Sequence, residues 1–424
     1  MIKNTNLAEQ IKERLPVELA DFLQLAGRRA FRLEEKVYLV GGVVRDLLLG
    51  RTNLDLDLVA EHDAIKLAEE LAKAKNGKVI AHSRFNTAKI RWGKWSVDIA
   101  TARSESYSKP GALPTVQSGS TIENDLSRRD FTINAMAVCL SSPHYGELID
   151  LFRGREDLER AKIRVLQDYS FRDDATRIWR AARYEQRLDF RIESHTLNLL
   201  KRDIAYLDTI SGDRIRHELE LCLEEELPEK ALLRADELGM IARICPVLEV
   251  DDWLARKFAR ARGMMQPYSL PQELYMAFLV YRLPLSDLED LIGYLKFSNA
   301  VAQTLRDTLN LKNELSSLAK PGIPPSRIYH CLGQYTQNAI LANLVISEHS
   351  VIRQRIELYL NKLRYVRVAL TGDDLLREGI AQGPQIKEVI EILREARLDG
   401  RVVNREEELR LVKSEFARTG VKGQ

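Results

Sequence analysis

The spacing of apolar residues changes once along this chain, near residue 140, and that change limits the folds open to it. Upstream, short β-rich runs alternate with helical stretches. Val37–Val40 ends in Gly41-Gly42, Leu54–Val59 alternates polar with apolar, Lys78–Ala81 is short and apolar, and Thr87–Trp92 and Trp95–Ala100 flank Gly93-Lys94 like the arms of a hairpin. Ala64–Lys75 carries helical spacing, and the same spacing over residues 7–30 predicts one opening helix. Downstream of about residue 150 strand signals nearly vanish. Asp173–Leu188, Ile215–Glu226, Ile352–Arg364 and Gln385–Ala396 have helical periodicity, punctuated by the Pro-Gly and Pro-Pro pairs at 321–325. A mixed α and β region followed by a long helical region is the expected architecture. At 424 residues the chain has room for two to four domains.

The composition excludes several function classes. A hydrophobic content of 45% and a charged content of 30% fit a globular protein and not a disordered one. The net charge is only +2, so any surface for nucleic acid must be local. Four cysteines lie scattered without a CxxC pair, which argues against a disulfide framework or a zinc site and points to a reducing cytoplasm. Met1 to Gln10 has no apolar signal core, and no apolar run approaches the roughly 18 residues of a membrane span.

Leu54-Asp55-Leu56-Asp57-Leu58-Val59 is the most informative short segment. In a strand, residues two apart share a face. Asp55 and Asp57 then project together, with Leu54, Leu56 and Leu58 packed behind them. Two carboxylates held so close repel, and a divalent cation removes the repulsion; Mg²⁺ commonly binds through one or two carboxylates plus substrate phosphates. A lone DxD is also a common solvated face. Here Gly41, Gly42 and Arg45 lie upstream, all within 17 residues of Asp57. Paired glycines after a strand let backbone N–H groups approach a phosphate at the following helix start. Asp98, on the later run Val97-Asp98-Ile99, is either a third carboxylate near the metals or a surface residue.

Four segments, in order, then resemble one family. Gly41-Gly42-Val43-Val44-Arg45-Asp46-Leu47-Leu48-Leu49-Gly50 with Asp55-x-Asp57 resembles the first motif of class II CCA-adding enzymes and bacterial poly(A) polymerases. Arg128-Arg129-Asp130-Phe131-Thr132-Ile133-Asn134-Ala135-Met136-Ala137 resembles the second, Asp173 through Tyr184 the base-selecting motif, and Ser211 through Leu219 the next. A weaker likeness covers Leu370 to Gly400. The resemblance implies an α+β protein: a polymerase-β-like nucleotidyltransferase head with a small mixed sheet (1–145), then all-α neck (146–225), body (226–345) and tail (346–424). It implies two Mg²⁺ ions, CTP and/or ATP as substrates, and the 3′ end of tRNA as partner. The alternatives are an enzyme adding only A or only CC, a poly(A) polymerase, or a catalytically silent RNA-binding protein.

Site roles follow from that resemblance. Arg128 and Arg129 precede a predicted helix with Asp130 near its start; the family reading gives Arg129 to the triphosphate and Asp130 to the ribose, with Asn134 helping. On the helix predicted from Asp173, Arg177, Arg180, Arg183 and Arg187 recur every three or four residues and share a broad face. Asp174 and Arg177 would form a protein template. Cytosine and adenine each set an exocyclic amine beside an unprotonated ring nitrogen, so an Asp accepts and an Arg donates, whereas uracil and guanine reverse both contacts. Arg180 and Arg183 would face the phosphates. The family often has Glu where Asp173 stands and Pro where Ala175 stands. Residues 103–120, including Lys109 through Pro114, lie where the family carries a flexible loop. Lys387, Arg394 and Arg397 are candidates for gripping RNA in the helical half.

Overall fold

The computed structural model describes residues 5–112, 114–265 and 270–416. Leu113 of the expected flexible loop therefore lies outside the described residues. The chain divides after Ile244 into two compact units.

The first unit is organised by a seven-stranded sheet. Its strands are β1 (Val37–Val40), β2 (Leu56–Ala60), β3 (Lys78–His82), β4 (Thr87–Trp92), β5 (Trp95–Thr101), β8 (Met136–Cys139) and β9 (Leu148–Asp150), in the order β3-β4-β5-β2-β1-β8-β9. Strands β6 (Arg103–Ser106) and β7 (Thr115–Ser118) form a separate antiparallel ribbon. Only β2 and β5 run parallel within the large sheet, and they set Asp57 beside Asp98. The β4–β5 hairpin turns at Gly93, whose φ of 50° suits a glycine in a tight two-residue turn.

Helices α1 (Ala8–Arg14), α2 (Val17–Arg32), α3 (Gly42–Leu48), α4 (Ala64–Ala74) and α5 (Ile122–Ser127) surround the sheet. Asp63 caps α4 by accepting from the Lys66 amide at 2.9 Å. Leu67 and Leu71 of α4 are fully buried against the face of β3, β4 and β5 that carries Ile90, Val97 and Ile99. Each such side chain contributes about 1.5–3 kcal/mol. On the opposite face, Ile122 and Leu126 of α5 cover only the end near Tyr38, Val40 and Val59. The remaining helices of this unit include α6 (Gly154–Glu159), α7 (Ser170–Asp173), α8 (Thr176–Leu188), α9 (Ser194–Asp203), α10 (Gly212–Leu223) and α11 (Pro228–Glu237). Helix α8 packs on α10 and α11 with Trp179 fully buried.

The second unit is helical throughout its described residues. One core gathers Leu311, Ile328, Leu332 and Ile356, and another gathers Leu375, Val389, Leu393 and Val412. Proline starts the helix Pro325–Gly333, and Thr371 with Asp374 forms a capping box on Gly372–Arg377. No described helix is long and apolar enough to cross a membrane.

The structure corrects four expectations. The single opening helix is two helices, because Pro16 drives Leu15 into extended backbone. Strand β2 begins at Leu56, so Asp55 precedes the strand and Leu54 is 45% exposed instead of packed. The helix expected from Asp173 is interrupted: Asp174 is extended (φ −140°, ψ 100°), with α7 ending before it and α8 starting at Thr176. Asp130 opens one turn of 3₁₀ helix over Thr132–Asn134 and then β8, not a longer helix.

Candidate active site

A cleft of about 450 Å³ opens where β1, the β6–β7 ribbon, the segment after α5 and the start of α8 converge. It is lined by Gly41, Gly42, Asp57, Arg128, Arg129, Asp130, Asn134, Asp174, Arg177 and Arg180, residues drawn from three of the four sequence motifs. Arg103, Glu105, Tyr107, Pro114 and Tyr184 complete the wall.

Gly41 shapes the floor. Its backbone sits at φ 77° and ψ −139°, a conformation L side chains rarely adopt. A β-carbon there would stand 3.0 Å from Arg129 Nη1 and 3.9 Å from Asp57 Oδ2. Glycine thus lets the turn, the guanidinium and the carboxylate crowd into one place.

Asp57 keeps its side chain in reach of solvent at the mouth of the cleft. Its carboxyl is pushed up to about 6, first by poor solvation, then by the charge of Asp55, with Asp98 adding; Arg129 and Lys89 oppose the shift. The three carboxylates therefore feel one another. Asp98 does not line the cleft: Lys89 Nζ holds its carboxylate at 2.9 Å. Asp55 lies outside the lining too. Among the described residues no ready-made group of three acidic, histidine or cysteine ligands is assembled. A pair of carboxylates whose ionised forms repel fits a hard divalent cation that takes its other oxygens from water and substrate phosphates.

Arg129 is only partly satisfied. Nη2 donates to Asp125 at 3.0 Å, Nη1 makes one long contact to the Asn134 carbonyl at 3.5 Å, and the buried Nε has no partner. An unpaired buried donor beside a glycine floor is suited to an anionic oxygen. Arg128 is fully used, donating to Asp125 at 2.8 Å and to Glu105 at 3.0 Å. Asp125 is completely buried; burial alone would raise its carboxyl, but Arg129 and Arg128 hold it below the usual range.

Asp130 is fixed by a chain of contacts. It accepts from Arg180 at 2.6 Å, from Asn134 Nδ2 at 3.1 Å and from the Phe131 amide at 2.8 Å. Its burial works against ionisation, yet Arg180 and these donors keep the carboxyl lowered, and Arg180 in turn holds its proton more tightly. Arg45, grouped with Gly41 and Gly42 as a nucleotide-binding candidate, is buried behind this chain. It donates to Asn134 Oδ1 at 2.8 Å and to both oxygens of Asp46, so it braces Asn134 from outside the cleft.

Asp174 and Arg177 flank the inner end. The extended backbone at Asp174 turns its side chain back onto α8, where Oδ1 accepts from the Thr176 amide at 3.0 Å and from Arg214 at 2.8 Å. Arg177 is held by Ser170 Oγ at 2.8 Å and by the Arg128 carbonyl at 2.7 Å. Asp173 lies outside the lining, bonded to Gln167 at 3.1 Å; poor solvation raises its carboxyl against the pull of Arg177 and Arg172. Arg183 turns away as well, to Glu218 at 3.6 Å and Glu225 at 3.5 Å. In the second unit Arg394 and Arg397 are paired with Glu391 and Glu408, while Lys387 is exposed.

Two wall residues have no role assigned from the sequence: Tyr107, marked only by its position in the expected loop, and Tyr184, the last residue of the base-selecting motif. Tyr107 donates to Glu105 at 2.9 Å, and its phenol is pushed up by burial and by Glu105. Tyr184 closes the base-selecting motif and lies under Arg45, Arg180 and Arg183, with the nearest guanidinium 5.3 Å from its ring centre.

A glycine floor, an arginine with open donors and a strand-borne carboxylate beside two others make a cleft whose chemistry suits a polyanion together with a divalent cation. Comparisons with known proteins identify the family. Residues 37–164 match the Poly A polymerase head domain, and residues 189–251 match the probable RNA and SrmB-binding site of polymerase A. The A-adding tRNA nucleotidyltransferase of Halalkalibacterium halodurans is 30% identical, over 97% of this chain and 96% of that protein. That of Geobacter sulfurreducens is 34% identical over 97% of this chain, which spans about half (48%) of that relative's length. Among solved structures, a CCA-adding enzyme in an apo form is similar with a TM-score of 0.81 at 31% identity, covering 98% of this chain and 100% of that one. The Thermotoga maritima CCA-adding enzyme complexed with tRNA matches with a TM-score of 0.73 at 31% identity, covering 98% and 99%. The chain belongs to the tRNA nucleotidyltransferase and poly(A) polymerase family. Enzymes of this family use divalent metal ions.

Proposed function

We propose that this protein is a template-independent tRNA nucleotidyltransferase that adds AMP, alone or after CMP, to the tRNA 3′ end. The observation that carries this reading is the convergence of Asp57, Arg129, Asp130 and the Asp174–Arg177 pair on one cleft. Three relatives named A-adding enzymes match along 85–97% of the chain, whereas a CC-adding relative matches along 54%, which favours AMP as a substrate.

In this reading Asp55 and Asp57 would hold two Mg²⁺ ions, which when bound would supply charge neutralisation at the triphosphate and a lowered pKa for the attacking hydroxyl. Asp98 serves as the third carboxylate once Lys89 is drawn from it. Gly41, Gly42 and the open donors of Arg129 receive the triphosphate. Asp130, oriented by Arg180 and Asn134, accepts from a ribose hydroxyl. Asp174 keeps Oδ2 for the exocyclic amine and Arg177 donates to the ring nitrogen. The terminal 3′-hydroxyl gives up its proton to solvent as its oxygen forms a bond to the α-phosphorus, the bond from the α-phosphorus to the bridging oxygen breaks, and pyrophosphate leaves. Arg45 and Arg128 act as positioning residues. The head and neck fall to residues 1–145 and 146–225, the body and tail to 226–345 and 346–424, and the substrates place the work in the cytoplasm.

Primer extension tests the reading, with tRNA ending before CCA, at C and at CC, and with separate nucleotides. AMP incorporation on the CC end is expected. Long A tails on generic RNA would exclude a tRNA enzyme, and no incorporation from either CTP or ATP would favour a silent RNA-binding protein.

A further inference from the structure

Beyond the carboxylates, the sheet carries a charge pattern that the nucleotide cleft does not use. Register places Asp57 beside Asp98, Asp98 beside Lys89, and Lys89 beside Ile80, from β2 out to β3. The adjacent row runs Ser96, Arg91, Lys78. Directly paired residues share a face, and these rows are two residues apart, so both lie on one face. Helix α4 covers the other face, over Leu67, Ile90 and Val97. This face is left open: Lys78, Ile80, Arg91 and Ser96 are all exposed.

Lys78 and Arg91 stand directly opposite one another, and neither has an acidic partner among the described residues. Like charges in that position weaken an antiparallel pair. Lys89, one row along, is held by Asp98 and not by an acidic residue outside the carboxylate group. Charge on this face therefore runs from cationic at the β3 edge to anionic at β2. At about 4.8 Å per strand, Lys78 lies roughly 15 Å from Asp57. At the end of β3 the exposed ring of Phe85 lies under the Arg84 guanidinium, a flat surface of the kind on which single-stranded bases stack.

We propose that the open face of β3, β4 and β5 carries the phosphodiester backbone of the RNA's single-stranded 3′ end. Lys78 and Arg91 bind its phosphates, and the strand leads its terminal hydroxyl towards Asp98 and Asp57. A phosphate near Lys89 competes with Asp98 for the ammonium and frees that carboxylate. This inference rests on the nucleotidyl-transfer reading above and adds the acceptor's path to it.

The test compares wild type with the double variant Lys78→Gln/Arg91→Gln, using tRNA that ends at CC. The KM for tRNA should rise about tenfold while the KM for ATP holds. The slope of log affinity against log salt, from fluorescence anisotropy with the same tRNA, should fall by about one per lost phosphate contact. Removing the like-charge pair should leave the thermal midpoint unchanged or raised. Unchanged tRNA KM and salt slope in an active variant would overturn the proposal and leave the face to another partner. A fall in thermal midpoint with both KM values moving together would overturn it too, since that is a folding effect. If wild type incorporates no nucleotide, the functional reading fails, and the anisotropy alone still decides whether this face binds RNA.

Discussion

Replacing Gly41 by alanine tests the geometry of the cleft floor through two separable costs. The first is conformational. At φ 77° and ψ −139° the backbone lies where only glycine is comfortable, and strain of this kind costs about 1–3 kcal/mol. For a unit of this size, 1 kcal/mol lowers Tm by about 2–4 °C, so a loss of about 4–8 °C is expected from the middle of that range. The second cost is steric. The added methyl would stand 3.0 Å from Arg129 Nη1, inside the separation of about 3.5–4.0 Å at which heavy atoms rest. Arg129 cannot simply swing aside, because Asp125 holds it at 3.0 Å. If Arg129 receives the triphosphate as proposed, a shift of about half an ångström should lower kcat/KM for ATP about tenfold, given that 1 Å can cost about a hundredfold. Thermal unfolding and steady-state incorporation of labelled ATP into tRNA measure the two effects. A variant that melts within a degree of wild type and keeps full kcat/KM would refute the reasoning.

Other outcomes are expected from the same geometry. Arg177→Ala should relax base choice, raising UTP incorporation relative to ATP; unchanged discrimination would count against the Asp174–Arg177 template. Arg183→Ala should destabilise the fold by about 1–3 kcal/mol by removing one of the two arginines, with Arg180, that offset the burial of Glu218, while the KM for ATP stays within about twofold; a large rise in that KM would return Arg183 to the phosphates. The Asp57 carboxyl, raised to about 6, binds its proton more tightly in the folded protein, so its ionisation weakens the fold as pH rises from about 4 through 6. Asp57→Asn should therefore raise Tm at pH 8 and leave it unchanged below pH 4, and added Mg²⁺ should shrink the gain at pH 8; a variant no more stable than wild type at pH 8 would contradict the crowding of carboxylates.

Local chemistry was legible in the sequence where it is locally decided. Val37–Val40, the Gly93-Lys94 hairpin and the mixed-then-helical order follow from β-rich runs, turn residues and apolar spacing. Pro16 was visible too, but periodicity continued across it and hid the break. The cleft depends on contacts over long separations, and there spacing says less. Arg180 reaches Asp130 across 50 residues and Arg45 reaches Asn134 across 89, so no local pattern tells which arginine faces the cleft and which braces it from behind. On α8 a residue advances about 100°, which puts Arg183 about 120° round from Arg177. The shared face read from the sequence is thus wide enough to serve two sides of the helix, and Arg183 serves the side packed with Glu218 and Glu225. Tyr107 and Glu105 enter the wall through the pairing of two short strands whose sequence is polar and nearly featureless.

Nucleotidyl transfer at this cleft is proposed to depend on Asp57, crowded by Asp55 and Asp98 beside Arg129. The most direct test of that dependence is the Asp57→Ala variant, assayed for incorporation of labelled ATP into tRNA ending at CC with Mg²⁺ supplied, alongside the affinity of the same tRNA. Loss of incorporation with tRNA affinity retained is the expected result; continued turnover in the variant would contradict the account.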